Sequence, residues 1–206
     1  MIKEITYKEA IDFLLPKHYS GRKPQITKAF GYFIEDNLKA VCTFGKLAIN
    51  SLCKGVCGEE FSSNVYELNR LCRTEDFTEP LSKFVSYCLR QLKKENWIIV
   101  SYSDKQMKHS GYIYQACNFI YTGVTKERTD KYTEGNSHSR HYNKKQDNSL
   151  RKFRSSKHRY IYFCSYSTKL LKLWREKLNY KIEKYPKEEN KNYILGEYLE
   201  PLIIRK

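Results

Sequence analysis

No apolar run in this 206-residue chain approaches the roughly 20 residues that a membrane-spanning helix needs. The N-terminus, Met1-Ile2-Lys3-Glu4, also lacks the apolar stretch of a secretory signal. These two absences predict a protein that works in the cytoplasm, away from membranes. No internal repeat is visible. Acids are scarce: 23 Asp+Glu stand against 38 Lys+Arg, leaving a formal charge of +15 and a pI near 9.4. That excess suits a polyanionic partner, and 18 tyrosines accompany it, useful for stacking on bases or bonding phosphates. A lysine-rich, well-solvated surface is the plainer reading, and composition leaves the two level.

The seven cysteines (42, 53, 57, 72, 88, 117 and 164) are an odd, scattered set, which fits a reducing compartment better than a disulfide framework. Cys72, Cys88, Cys117 and Cys164 sit in apolar segments, where free cysteine behaves as a small hydrophobe. Cys53-x-x-x-Cys57, flanked by Cys42 and Cys72, is a candidate zinc cluster, although the outer spacings match no common zinc module.

Length and a 40% hydrophobic content allow one domain with a full core. Ile2 to Thr6 reads as a strand, and Thr6-Tyr7-Lys8-Glu9 as a capping box opening a helix that Pro16 should stop. Ile26 to Ile34 and Leu38 to Phe44, split by Glu35-Asp36-Asn37, read as a hairpin. Residues 45–64 show no clear period and are expected to be irregular. Val65 to Cys72 is a strand, and Thr78-Glu79-Pro80 opens a helix whose face is Leu81, Phe84, Val85, Cys88, Leu89 and Leu92. Trp97 to Ser103 is a strand, Gly111 to Cys117 a short helix, and Phe119 to Val124 a strand. Strand–helix–strand–helix–strand is an α/β signature. Residues 125–160 then carry eleven Lys/Arg against four Asp/Glu, a net of +7, with few aliphatics. Such a segment is expected to be mobile until a polyanion orders it. Arg159 to Ser165 is an aromatic strand and Thr168 to Leu178 a helix. The whole chain, 1–206, is taken as one domain with 125–158 as a basic insertion.

Two sets of residues carry a resemblance. The order of elements, with Tyr114-Gln115-Ala116-Cys117-Asn118-Phe119, resembles the GCN5-related N-acetyltransferase fold. In that superfamily a helix ends in Tyr-x-x-x-Gly-Phe, and the tyrosine commonly protonates the departing thiolate. Asn118 replaces the glycine, and Asn is the next-best residue for a left-handed helix end. The resemblance implies a mixed α/β sheet flanked by helices. One stretch departs from the pattern: Arg73-Thr74-Glu75-Asp76-Phe77-Thr78-Glu79-Pro80 has three acids and no glycine where the superfamily has a glycine-rich pyrophosphate turn. That departure argues against ordinary coenzyme A binding, although helix-start N–H groups can still hold an anion.

The set His18-Tyr19-Ser20-Gly21-Arg22, Glu67-Leu68-Asn69-Arg70-Leu71, Ser101-Tyr102-Ser103-Asp104 and Gly111-Tyr112-Ile113-Tyr114-Gln115-Ala116 is more specific. With Arg159-Tyr160-Ile161-Tyr162-Phe163 and Tyr185-Pro186-Lys187, it resembles the Mom family of phage DNA-modifying proteins over about residues 16 to 186. The resemblance implies conversion of adenine in double-stranded DNA to N6-carbamoylmethyladenine, which protects phage DNA from host restriction enzymes in the host cytoplasm. By carry-over the catalytic positions are Asp104, Tyr114, Arg70 and Ser82. Iron is implied too, with His18, Tyr19 and Asp104 as its ligands. A carbamoylmethyl-group donor, acyl-CoA or another carrier, is needed because simple acetyl transfer cannot place a CH2 on nitrogen.

Each position also has a plainer reading. Asp104 follows the strand 98–103, where α/β folds place ligands, yet an Asp there also caps turns. Tyr114 can be a core tyrosine. Arg70 interrupts an apolar strand and can hold a carboxylate or phosphate if it faces the cleft, or snorkel at the sheet edge otherwise. His18 and Tyr19 follow Pro16 in a loop, and Ser82 can be simply a first-turn polar residue. Non-haem iron favours two His and one carboxylate, so His109 is the candidate second imidazole. Asp104, Tyr114, Arg70 and His18 are expected to converge on one cleft. Lys144, Lys145, Arg151, Lys152 and Arg154 are expected to contact DNA phosphates. Two rivals remain, an acyl-CoA-dependent acyltransferase on a protein, transfer RNA or small amine, and a non-catalytic DNA-binding protein. A homodimer is compatible with the sequence, which does not set the oligomeric state.

Overall fold

The computed structural model describes residues 1–133, 149–191 and 202–205. A seven-stranded sheet dominates it, in the order β1-β2-β3-β4-β5-β9-β6. Its strands are β1 (Ile2–Glu4), β2 (Lys28–Ile34), β3 (Asn37–Gly45), β4 (Val65–Arg73), β5 (Trp97–Asp104), β6 (Ile120–Val124) and β9 (Lys157–Cys164). Every neighbouring pair is antiparallel except β4 with β5. The helices are α1 (Tyr7–Lys17), α2 (Asn50–Cys57), α3 (Leu81–Leu92), α4 (Tyr112–Ala116) and α5 (Thr168–Glu176). No helix among the described residues is long and apolar enough to cross a membrane.

Strand alternation divides the core into two layers. Along β5, Trp97 and Ile99 pack with α3 residues such as Phe84 and Cys88, while Ile98 and Val100 pack with α2 and with Trp174 of α5. Side chains at i and i+2 share a face, so one strand serves both layers. α1 covers a third cluster, Ala10, Phe13 and Leu14 against Ala29 and Val41. The α3 face read from sequence is buried at Phe84, Val85, Cys88, Leu89 and Leu92.

The two β2–β3 turn residues, Glu35 and Asp36, both have positive φ (48° and 61°), as a two-residue turn of the I′ kind requires. The capping box at Thr6 and Glu9 is present. Pro16, by contrast, lies inside the last turn of α1 rather than before its end. One missing N–H is tolerated there because the His18 N–H donates to the Leu14 carbonyl at 2.8 Å. Residues 45–64 are not irregular throughout: they contain α2, which buries Cys53, Val56 and Cys57.

The basic insertion also differs from expectation. β7 (Arg128–Lys131), β8 (Leu150–Arg154) and β10 (Ile203–Arg205) form a separate sheet ordered β10-β8-β7. Backbone pairing replaces apolar burial as its support. Arg154 meets Asp130 at 2.8 Å, and the Arg151 guanidinium donates to the Thr129 carbonyl at 2.9 Å. Lys157 and His158 belong to the central sheet, so the insertion ends earlier than 158. His158 is 1% exposed and is held by the Tyr121 hydroxyl at 2.9 Å and Glu188 at 3.2 Å. Lys144 and Lys145 lie outside the described residues.

The cysteines fall into separate places. Cys42 and Cys88 lie in the α3 layer, Cys53 and Cys57 in the α2–α5 layer, and Cys72 under α1. The proposed zinc cluster of Cys42, Cys53, Cys57 and Cys72 is therefore not assembled. All seven are free and buried.

Candidate active site

β4 and β5 pair only from Val65–Ile98 to Glu67–Val100. Beyond those residues the strands have no ladder between them, and the gap is where the candidate residues gather. A bulge prepares it. Thr43 pairs with Arg70 but Phe44 with Leu68, so Asn69 is an extra residue in β4. Strict alternation would put Leu68 and Arg70 on one face. With the bulge, Leu68 and Leu71 share the α3 layer instead, and Arg70 turns to the other face, opposite Thr43. The Asn69 side chain fixes the bulge, accepting from the Thr43 hydroxyl at 2.6 Å and donating to the Gln25 carbonyl at 2.7 Å.

Two cavities open in this gap. One, about 260 Å³, is bounded by His18, Tyr19, Arg22, Arg70 and Asp104 together with Lys152, Arg154, Ser155 and Lys157. The other, about 220 Å³, is bounded by Glu67, Leu68, Leu71, Leu81, Tyr102, His109, Ile113 and Tyr114, and again by His18 and Tyr19. The His18 and Tyr19 rings stack at 4.4 Å and form the shared wall. The anticipated single cleft is thus two chambers: Asp104 and Arg70 line the basic one, Tyr114 lines the other, where leucines and tyrosines mix with charged side chains, and His18 borders both. Ser82 lines neither; its carbonyl accepts from the Cys117 thiol at 3.4 Å, in the first turn of α3.

Tyr114 is placed by its helix end. The Asn118 N–H donates to the Gln115 carbonyl at 3.0 Å and the Phe119 N–H to the Tyr114 carbonyl at 3.0 Å, the paired bonds of a Schellman end. Asn118 takes the left-handed conformation, φ 59°. The Tyr114 and Phe119 rings then touch at 5.3 Å, supplying the apolar contact that accompanies this motif. At the other end Gly111 has φ 79° with Tyr160 packed against it, so a side chain is excluded there. Burial pushes the Tyr114 hydroxyl well above its ordinary range, against a hydrogen bond with Ser101. It therefore holds its proton.

Asp104 is engaged rather than exposed. Lys157 forms an ion pair with it, the Ser155 hydroxyl donates to Oδ1 at 2.5 Å, and the Gln106 N–H donates to the same oxygen at 3.0 Å. The last of these bonds is the turn cap of the plainer reading. Burial raises the Asp104 carboxyl, but the Lys157 charge and these bonds outweigh it, leaving it below the usual carboxylate range.

Two of the three expected iron ligands, Tyr19 and Asp104, are engaged otherwise than as open donors. His18 Nδ1 lies 3.0 Å from the Ser20 Oγ and 3.2 Å from the Ser20 nitrogen. Burial, with the positive charges of Arg70 and His109, drives His18 down to about 3, which keeps its ring neutral. Burial and the Asp104 charge lift Tyr19 to about 12, so its phenolate is disfavoured. Asp104 already bears Lys157. His109 stands at the edge of Tyr19, ring centroids 5.8 Å apart, but no group of three His, Cys, Asp or Glu side chains among the described residues is arranged to hold a metal. The expected ligand set of His18, Tyr19 and Asp104 thus finds no support among the described residues.

Glu67 and Lys157 were not singled out from sequence. Glu67 is the last β4 residue paired with β5, and burial raises its carboxyl against the pull of Arg70 and Lys157. Lys157 reaches Asp104 because β9 pairs with β5 in register, a contact across 53 residues that no local pattern announces.

The turn 74–80 is closed on itself. Phe77 is fully buried, its carbonyl accepts from Arg73, and Asp76 pairs with Lys39 at 2.6 Å. Pro80 caps α3 without a side-chain bond.

Solved structures share this fold. An N-acetyltransferase from Staphylococcus aureus Mu50 matches with TM-score 0.50 and 12% identity, over 80% of this chain and 98% of that one. The yncA protein of Salmonella typhimurium, whose structure is described as that of a putative acetyltransferase with its cofactor acetyl-CoA, matches with TM-score 0.50 and 7% identity, over 82% and 95%. None of the curated proteins compared matches the chain. The sequence profile of the Mom protein family, however, matches residues 1–187. A match over that much of the chain, on a GCN5-related acetyltransferase-type fold with the four motifs gathered around one gap, shows that the chain belongs to the Mom protein family.

Proposed function

We propose that this protein is a transferase that modifies the exocyclic N6 amine of adenine in double-stranded DNA, adding a carbamoylmethyl group and so shielding phage DNA from restriction. The observation that carries the reading is the pair of adjoining chambers in the β4–β5 gap, one lined by five Lys/Arg side chains and the other by leucine, isoleucine and tyrosine side chains mixed with Glu67, Asn69, Arg73 and His109. A nucleotide brings phosphate and a base together, and the cationic chamber suits it. A carbon-group donor suits the second chamber, where Tyr114 holds a proton for a leaving group. The two reactants meet at the His18–Tyr19 wall.

The N6 amine is a weak nucleophile because its lone pair is delocalised into the ring, and in a duplex it is paired, so the base has to leave the stack. A like-folded protein is described with its cofactor acetyl-CoA, which supports a coenzyme A-linked carrier as one donor class, provided that it delivers the CH2 carbon rather than an acyl carbon to N6. The acidic, glycine-free turn 74–80 favours a carrier whose recognition does not depend on a pyrophosphate cradle there. Plasmid isolated from cells producing the protein tests the reading. It should resist restriction enzymes whose sites contain adenine, and Tyr114→Phe should abolish that resistance. Full sensitivity in cells holding folded wild-type protein would contradict it.

A further inference from the structure

The guanidinium of Arg70 has one edge committed and one open. Its Nη1 donates to the Asn69 carbonyl at 2.6 Å, and its Nη2 makes only a long 3.5 Å contact with the Arg22 carbonyl. Its Nε is buried without a hydrogen-bond partner. A buried, unsatisfied donor on a permanent cation is costly unless something completes it. Nε–H and one Nη2–H point the same way along the guanidinium plane, so the open edge matches two oxygens of one oxyanion.

The surroundings say which oxyanion. Arg70 lines the basic chamber. Two further cations of that chamber have carboxylate partners, Lys157 with Asp104 and Arg154 with Asp130, whereas Arg70 has no ion pair among the described residues. The single carboxylate lining the chamber among the described residues, Asp104, is the one already held by Lys157. An anion entering there meets net positive potential and one bidentate edge.

We propose that Arg70 is the anchor of an internal phosphate subsite, taking the phosphodiester beside the target nucleotide through its Nε–Nη2 edge. The proposal rests on the DNA reading for the identity of its ligand, but not for the subsite itself. Arg70 is then a binding and positioning residue: it draws one phosphate inside the fold, at the wall shared with the donor chamber, while the outer basic sheet meets the phosphates around it. The β4 bulge is what makes this available, because an unbulged strand would bury Arg70 against α3.

Calorimetric titration of the full chain tests it, with inorganic phosphate, acetate, deoxyadenosine and deoxyadenosine 5′-monophosphate as probes. Wild type should bind the monophosphate about tenfold more tightly than the nucleoside, the equivalent of one charge-assisted hydrogen-bond pair. It should also bind phosphate in preference to acetate. Arg70→Met should erase both differences. Arg70→Lys, which keeps the charge and loses the fork, should retain less than half of the tenfold gain, and it serves as the readout should Arg70→Met fail to fold. Equal binding of nucleotide and nucleoside, or a phosphate preference that survives in both variants, would overturn the subsite. Acetate bound as well as phosphate would assign the edge to a carboxylate and overturn the phosphate assignment. Arg70-dependent phosphate binding, with the nucleotide above the nucleoside but no tighter than inorganic phosphate, would leave the subsite standing and count against the DNA reading.

Discussion

Asn118 shows how much one residue can reveal. The Tyr114–Phe119 stretch was legible because a helix end needs a residue tolerant of positive φ, and Asn supplies it where Gly is absent. Replacing Asn118 by Gly should leave stability within a few tenths of a kcal/mol, whereas Asn118→Ala should lower it by about 1 kcal/mol, measured by urea unfolding. His18 makes a second residue-scale prediction. Its folded pKa, about 3, lies below the ordinary 6.5. Between those values the unfolded chain binds the proton that the folded chain refuses, so stability falls as pH drops through 6.5 toward 3 and is unaffected by this group above 6.5. Arg70 and His109 both face the ring and act in the same direction. His18→Gln, which cannot titrate, should lose less melting temperature than wild type between pH 7 and pH 5. Parallel losses would show that His18 is not held neutral.

At the scale of elements, the strands and α3 could be read in advance because alternation and a 3.6-residue period are local signals. α2 escaped because eight residues containing Gly55 offer too little of a period, although Cys53, Val56 and Cys57 form its buried face. The chambered site was legible as a set of motifs but not as a geometry. The Asn69 bulge that turns Arg70, and the β5–β9 register that sets Lys157 on Asp104, depend on strand pairs distant in sequence. The support of the basic strands is likewise distant in sequence: the Phe153 N–H donates to the Leu202 carbonyl at 2.8 Å, while residues 134–148 of the insertion lie outside the described residues. Charge remains its evident resource. Each phosphate neutralised adds about 0.9 to the slope of log affinity against log salt. Reversing Lys144, Lys145, Arg151 and Lys152 to Glu should therefore weaken DNA binding for all sequences alike and flatten that slope by more than one unit. Unchanged affinity and slope would mean that DNA lies elsewhere.

For the whole molecule, the account joins three layers of cause. A sheet filled on both faces by alternating side chains fixes β4 and β5 rigidly where they pair. Their separation beyond Glu67 and Val100 then opens two differently lined chambers on either side of the His18–Tyr19 wall. In the proposed function the polyanion is DNA and the acceptor is the amine of a base. Mass spectrometry of nucleosides from DNA of cells producing the protein tests that claim most directly. The account predicts an N6-carbamoylmethyl deoxyadenosine with wild type and its loss with Tyr114→Phe; unmodified deoxyadenosine alone, from cells rich in folded wild-type protein, would contradict it.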